Sequence, residues 1–81
     1  MNVTEAKIIK LVSQVPPLKR NVFVIAAKLN KSYSGIYNYV RILEVKGHLT
    51  KVKSGNNKTF FQTNADAIAL ATEVLTNVPT D

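Results

Sequence analysis

The chain contains no cysteine. Disulfide frameworks, thiolate chemistry and cysteine metal sites are excluded, and an intracellular setting suits such a sequence. It has one histidine, His48, with no second imidazole to share a metal, so no zinc-type ligand set can be written. Acids are scarce, five in all, and none forms a pair within one segment for acid–base work. The three glycines are scattered, which rules out a glycine-rich phosphate loop, and no serine-histidine-acid set appears. These absences argue against an enzyme and against a cofactor. No apolar run approaches the roughly 20 residues needed to cross a bilayer. The opening MNVTEAKIIKLVSQV lacks the basic-then-apolar order of a secretion signal and reads as an ordinary amphipathic helix. The expected location is cytoplasmic, nucleoid-associated or inside a host cell, with no membrane partner.

Positive charge is abundant and unevenly placed. All 11 Lys and Arg fall within residues 1–63 against only Glu5 and Glu44, a local net charge of +9. Residues 64–81 hold Asp66, Glu73 and Asp81 and no cation, a local −3, which completes the overall +6. A pI near 9.9 points to a polyanionic partner. With 46% hydrophobic and 20% charged residues in 81, the composition is that of one small globular domain. Its size leaves isolated stability thin, so a partner subunit would help.

Hydrophobic spacing gives the element order. Thr4 is expected to cap a first helix, with Val3 and Ile8 at the two positions of a hydrophobic staple. Ile8, Leu11, Val12 and Val15 make its buried stripe, and Pro16-Pro17 stops it. The next segment, Leu18 to Leu29, contains Val22-Phe23-Val24-Ile25, which would pass for a strand on propensity. Val22, Ile25, Ala26 and Leu29 nevertheless share one helical face, and Asn21 can cap it, so a helix is predicted.

Asn30-Lys31 makes a turn and Ser32 caps a third helix over about 32–46, with Ile36, Val40 and Leu43 inward and Tyr37, Asn38 and Arg41 outward. Gly47 ends it. Leu49–Lys53 and Thr59–Gln62 read as strands joined by Ser54-Gly55-Asn56-Asn57, with Val52 and one of Phe60 or Phe61 facing the core. Asn64 can cap a last helix over Ala65–Thr76, ended by Pro79. The predicted class is α+β, mainly α: a three-helix core, a two-stranded β-wing and an extra C-terminal helix. That is the order of a winged helix-turn-helix.

The run LNKSYSGIYNYVRILEVKGHL resembles winged-helix transcriptional regulators of the multiple-antibiotic-resistance and arsenic-repressor types. Leu29, Ser32, Ser34, Ile36, Val40, Leu43, Glu44 and Gly47 fall at that pattern's positions, and Ile25-Ala26 resembles its leucine-alanine pair. The similarity covers roughly residues 18–63. Lys31 departs from it, because the family usually places an aliphatic side chain there, and so does Gly35. Gly35 either lets the helix approach DNA closely or is simply tolerated in a first turn.

What the resemblance and the charge imply together is double-stranded DNA binding, with residues 1–63 as the DNA-binding domain. Ser32, Tyr33, Ser34, Tyr37, Asn38 and Arg41 supply short polar groups and a long donor for the major groove. Lys51, Lys53 and Lys58 make the wing a basic finger over the minor groove or backbone, although edge lysines also discourage strand aggregation. Lys31 and Arg20 add phosphate contacts. Residues 64–81 form the C-terminal helix, expected to dimerise through Ile68, Ala71, Leu75 and Val78, the alternative being that it packs back across the first helix. The expected function is sequence-specific regulation of transcription, repression favoured, by a homodimer without an evident small-molecule effector. A protein-docking module and a non-sequence-specific nucleic-acid binder are the rival readings.

Overall fold

The computed structural model of the chain describes residues 1–16, 21–53 and 59–77. Along these run α1 (Val3–Gln14), α2 (Val22–Leu29), α3 (Tyr33–Val45), β1 (Leu49–Lys53), β2 (Thr59–Thr63) and α4 (Ala65–Thr76). The expected α+β, mainly helical architecture is the one observed.

Helix α1 starts two residues earlier than expected. Its cap is Asn2, not Thr4: the Asn2 side chain accepts from the Glu5 N–H at 2.8 Å, and Glu5 Oε1 accepts from the Asn2 N–H at 3.1 Å. This reciprocal box satisfies two first-turn donors at once, which a threonine at position 4 does not. The buried side of α1 is also wider than predicted, taking in Ala6 and Ile9 beside Ile8 and Val12, with Leu11 only half-buried.

The β-branched stretch after it is helical. Asn21 caps α2 by accepting from the Val24 N–H at 2.9 Å, and Val22, Ile25 and Ala26 enter the core. Tertiary burial of one helical face outweighs a strand propensity worth a few tenths of a kcal/mol per residue, at most ~1.

Two helices end in the same way. Asn30 takes left-handed geometry (φ 55°, ψ 46°); its N–H donates to Ala27 O and that of Lys31 to Ala26 O. Gly47 (φ 82°) does the same after α3, with its N–H on Glu44 O and that of His48 on Leu43 O. Both are Schellman closures, in which two otherwise orphaned carbonyls find donors. The turn after α2 is thus closed by Asn30, with Lys31 exposed.

The strands form one antiparallel hairpin in which Lys51 faces Phe61 and Val52 faces Phe60. Directly opposed residues share a face, so Phe61 and Val52 lie on opposite sides. Phe61 is the buried phenylalanine, and Leu49, not Val52, is its buried companion from β1; Val52 and Phe60 pair half-buried on the outer face.

Helix α4 begins at Asn64 as expected and lies across α1. Ala67 and Ala71 are fully buried, small enough to let the two helices approach closely, with Ile68, Val74 and Leu75 packed around them. Ala71 therefore has no surface left for a second subunit, which corrects its expected place in a dimer interface. Ile68 and Leu75 are half-buried in the same contact, and Val78 lies outside the described residues.

Candidate nucleic-acid interface

The candidate surface is the outer side of α3, and its presentation follows from how α3 is anchored. Ile36, Val40 and Leu43 are fully buried, fixing the helix's rotation about its axis. At its start the Ser32 hydroxyl accepts from the Gly35 N–H at 3.2 Å. At its end three side chains converge. Asn64 Nδ2 donates to Gly47 O at 3.0 Å, Thr63 Oγ1 donates to His48 O at 2.9 Å, and the Glu5 carboxylate stands 3.6 Å from Lys46 Nζ.

With the inner stripe fixed, Tyr33, Ser34, Tyr37, Asn38 and Arg41 are all exposed along the opposite side, with Lys31 and Ser32 just before them. Tyr33 and Tyr37, one turn apart, stack with ring centroids 6.3 Å apart and planes 14° from parallel. Tyr39, the tyrosine not on this side, is half-buried against the core. Lys51 and Lys53 project from β1, both exposed. Arg20 and Lys58 lie outside the described residues. His48 occupies the junction between α3 and the hairpin.

Between α3, the start of α2 and the hairpin runs a groove of about 830 Å³. Tyr33, Tyr37, Arg41 and Lys51 line it, which brings side chains from two separate stretches of sequence onto one concave surface. Phe23 and Glu44 are lining residues that were not anticipated. Phe23 projects from the first turn of α2 and is 73% exposed, and Glu44 is half-buried on the groove wall. Phe23 was legible in principle: on a helix whose inner face is Val22, Ile25, Ala26 and Leu29, it falls outside the stripe.

An exposed polar helix set between a capped, left-handed turn and a basic antiparallel hairpin decides the architecture. The fold is a winged helix-turn-helix. The chain superposes on the zinc-dependent MarR-family transcriptional regulator AdcR in its zinc-bound state with a TM-score of 0.74, at 22% identity over 94% of this chain and 51% of that one. Two variants of Lactococcus lactis ZitR match at TM-scores of 0.66 and 0.67, with 20% and 18% identity. Each covers 91% of this chain, which in turn covers 55% and 49% of theirs. This winged helix thus spans about half the length of the structures it matches. No family model and no curated protein matches the sequence.

In helix-turn-helix terms α2 and α3 are the two helices of the motif, and β1–β2 is the wing. No described helix is long and apolar enough to cross a membrane.

Proposed function

We propose that this winged helix is a sequence-specific double-stranded DNA-binding protein that regulates transcription, as a repressor. The carrying observation is the division of α3 into a fully buried face and an exposed one bearing Ser34, Tyr37, Asn38 and Arg41. Asn38 suits a bidentate contact with adenine and Arg41 one with guanine, while the tyrosine hydroxyls and rings suit phosphates and thymine methyls. Lys31, Lys51 and Lys53, with Lys58 and Arg20, supply the phosphate contacts that set register and affinity. Residues 1–63 are the reading unit. Residues 64–81 add the helix through which we place a homodimer, using Leu70, 43% exposed on the outer flank of α4, with the remaining surface of Ile68 and Leu75. Two such copies would seat their α3 helices in successive major grooves about one helical turn apart.

Zinc dependence belongs to AdcR. In this chain, among the described residues, no three His, Cys, Asp or Glu side chains come together to hold a metal, so no metal step enters the proposal.

One observation favours a rival reading. Ile42 and Val45 are exposed on α3 beside Arg41 and Lys46, a surface suited to a protein partner. Selection of bound sequences from a random duplex library at about 150 mM salt separates the two. A shared motif with half-sites about 10 base pairs apart supports duplex reading by a dimer. Diverse sequences point to non-specific binding, and no recovery leaves protein docking as the reading.

A further inference from the structure

The groove holds more aromatic surface than duplex reading uses. Phe23, Tyr33 and Tyr37 are 73%, 53% and 42% exposed and line the same cavity. An apolar ring at the first turn of α2 is out of place for a phosphate contact, since a phosphate asks for a donor or a cation. A basic groove lined by exposed rings is instead the construction that holds unpaired strands: bases stack on the rings while cations track the backbone. Arg41 and Lys51 stand on the walls to take phosphates. Glu44, the acid that lines the groove with these two cations, repels a phosphate. It can accept from the exocyclic amino group of cytosine or adenine, a contact open to paired and unpaired bases alike.

We infer that the groove between α2, α3 and the wing binds single-stranded DNA, with bases stacked on Phe23 and on the Tyr33–Tyr37 pair and the backbone carried by Arg41 and Lys51. The occupant is fixed by charge and chemistry together: an anion long enough to meet both cations, bearing flat π faces at intervals. Tyr33, Tyr37, Arg41 and Lys51 serve both readings, and Phe23, which has no part in duplex reading, separates them.

The test uses the full chain. It has no tryptophan, so Phe23→Trp installs a single fluorescent reporter at the groove. Titration with single-stranded oligonucleotides of about 8–16 nucleotides is expected to quench it to saturation. Phe23→Ala is expected to weaken single-strand binding about five- to hundredfold, the loss of one stacked base, and to leave the affinity for a duplex of the same sequence unchanged. Because Phe23 is mostly exposed, its truncation removes little packing, and circular dichroism of both variants checks the fold. An unquenched reporter, or equal single-strand affinity in wild type and Phe23→Ala, overturns the inference. Wild type that binds a selected duplex and no single strand sinks this inference alone. Wild type that binds single strands and selects no duplex sinks the proposed function alone.

Discussion

Glu5 and Lys46, forty-one positions apart, join the first turn of α1 to the C-cap of α3: Glu5 is 5% exposed, and its carboxylate lies 3.6 Å from the ammonium of a half-exposed lysine. Its Oε2 accepts no hydrogen bond from the described residues, so Lys46 is its compensating charge. Removing the cation strands a buried anion, whereas Glu5→Gln keeps the capping box, for which glutamine serves equally. Lys46→Met is expected to cost about 1–2 kcal/mol, less than a fully buried pair because water reaches the lysine. The double variant should then be about as stable as Glu5→Gln alone, as urea unfolding would register.

Ala71→Leu distinguishes the observed packing of α4 from an arm held out for a partner. Forcing a larger side chain between α1 and α4 is expected to destabilise the monomer by about 1–3 kcal/mol. Leu70→Ser, on the exposed flank, should shift the solution mass from dimer to monomer and remove only the concentration-dependent part of the stability. Sedimentation across a concentration series reads it, and a wild type that is monomeric throughout rejects the dimer.

The two helix-associated glycines should behave differently. At Gly47 a Cβ meets nothing within 4 Å, so Gly47→Ala pays only for left-handed geometry, about 1–2 kcal/mol. At Gly35 the added Cβ would sit 3.0 Å from Ser32 Oγ, the atom that caps the helix. The helix gains about 1 kcal/mol of propensity from alanine and loses a similar amount from a displaced cap, so Gly35→Ala is expected to be near neutral in thermal unfolding. If it then weakens duplex binding, Gly35 serves close approach.

Base readers and phosphate contacts separate by their salt response. Asn38→Ala and Arg41→Ala are each expected to cost about 1–3 kcal/mol on a selected site and to relax preference at one position. Lys53→Ala should weaken all duplexes alike and lower the slope of log affinity against log salt by about 1. Unchanged binding in both Asn38→Ala and Arg41→Ala would remove α3 as the reading element.

Much of this was legible because helical period and cap chemistry agreed: Asn21, Ser32 and Asn64 each precede an apolar stripe, and each is a cap. The misses have physical causes. Thr4 and Asn2 both offer a side-chain oxygen near the helix start, and only Glu5, reaching back to Asn2, decides between them. Alternation within β1 put Val52 inward by hydrophobicity, but pairing register set the faces by Phe61, and that register is not local. Ala71 on an apolar helix face is compatible with an intramolecular or an intermolecular contact, and only the position of α1 tells them apart. The groove could not be read at all, since Phe23, Tyr37 and Lys51 meet only through the fold.

Asn64 has a further consequence. One side chain caps α4, accepting from the Ala67 N–H at 2.8 Å, and with its other end holds the carbonyl of Gly47 behind α3. Releasing α4 would uncap it and loosen the closure of α3 in a single event. The first-turn amide protons of α4 and those of the turn at Gly47 are therefore expected to open together in hydrogen exchange.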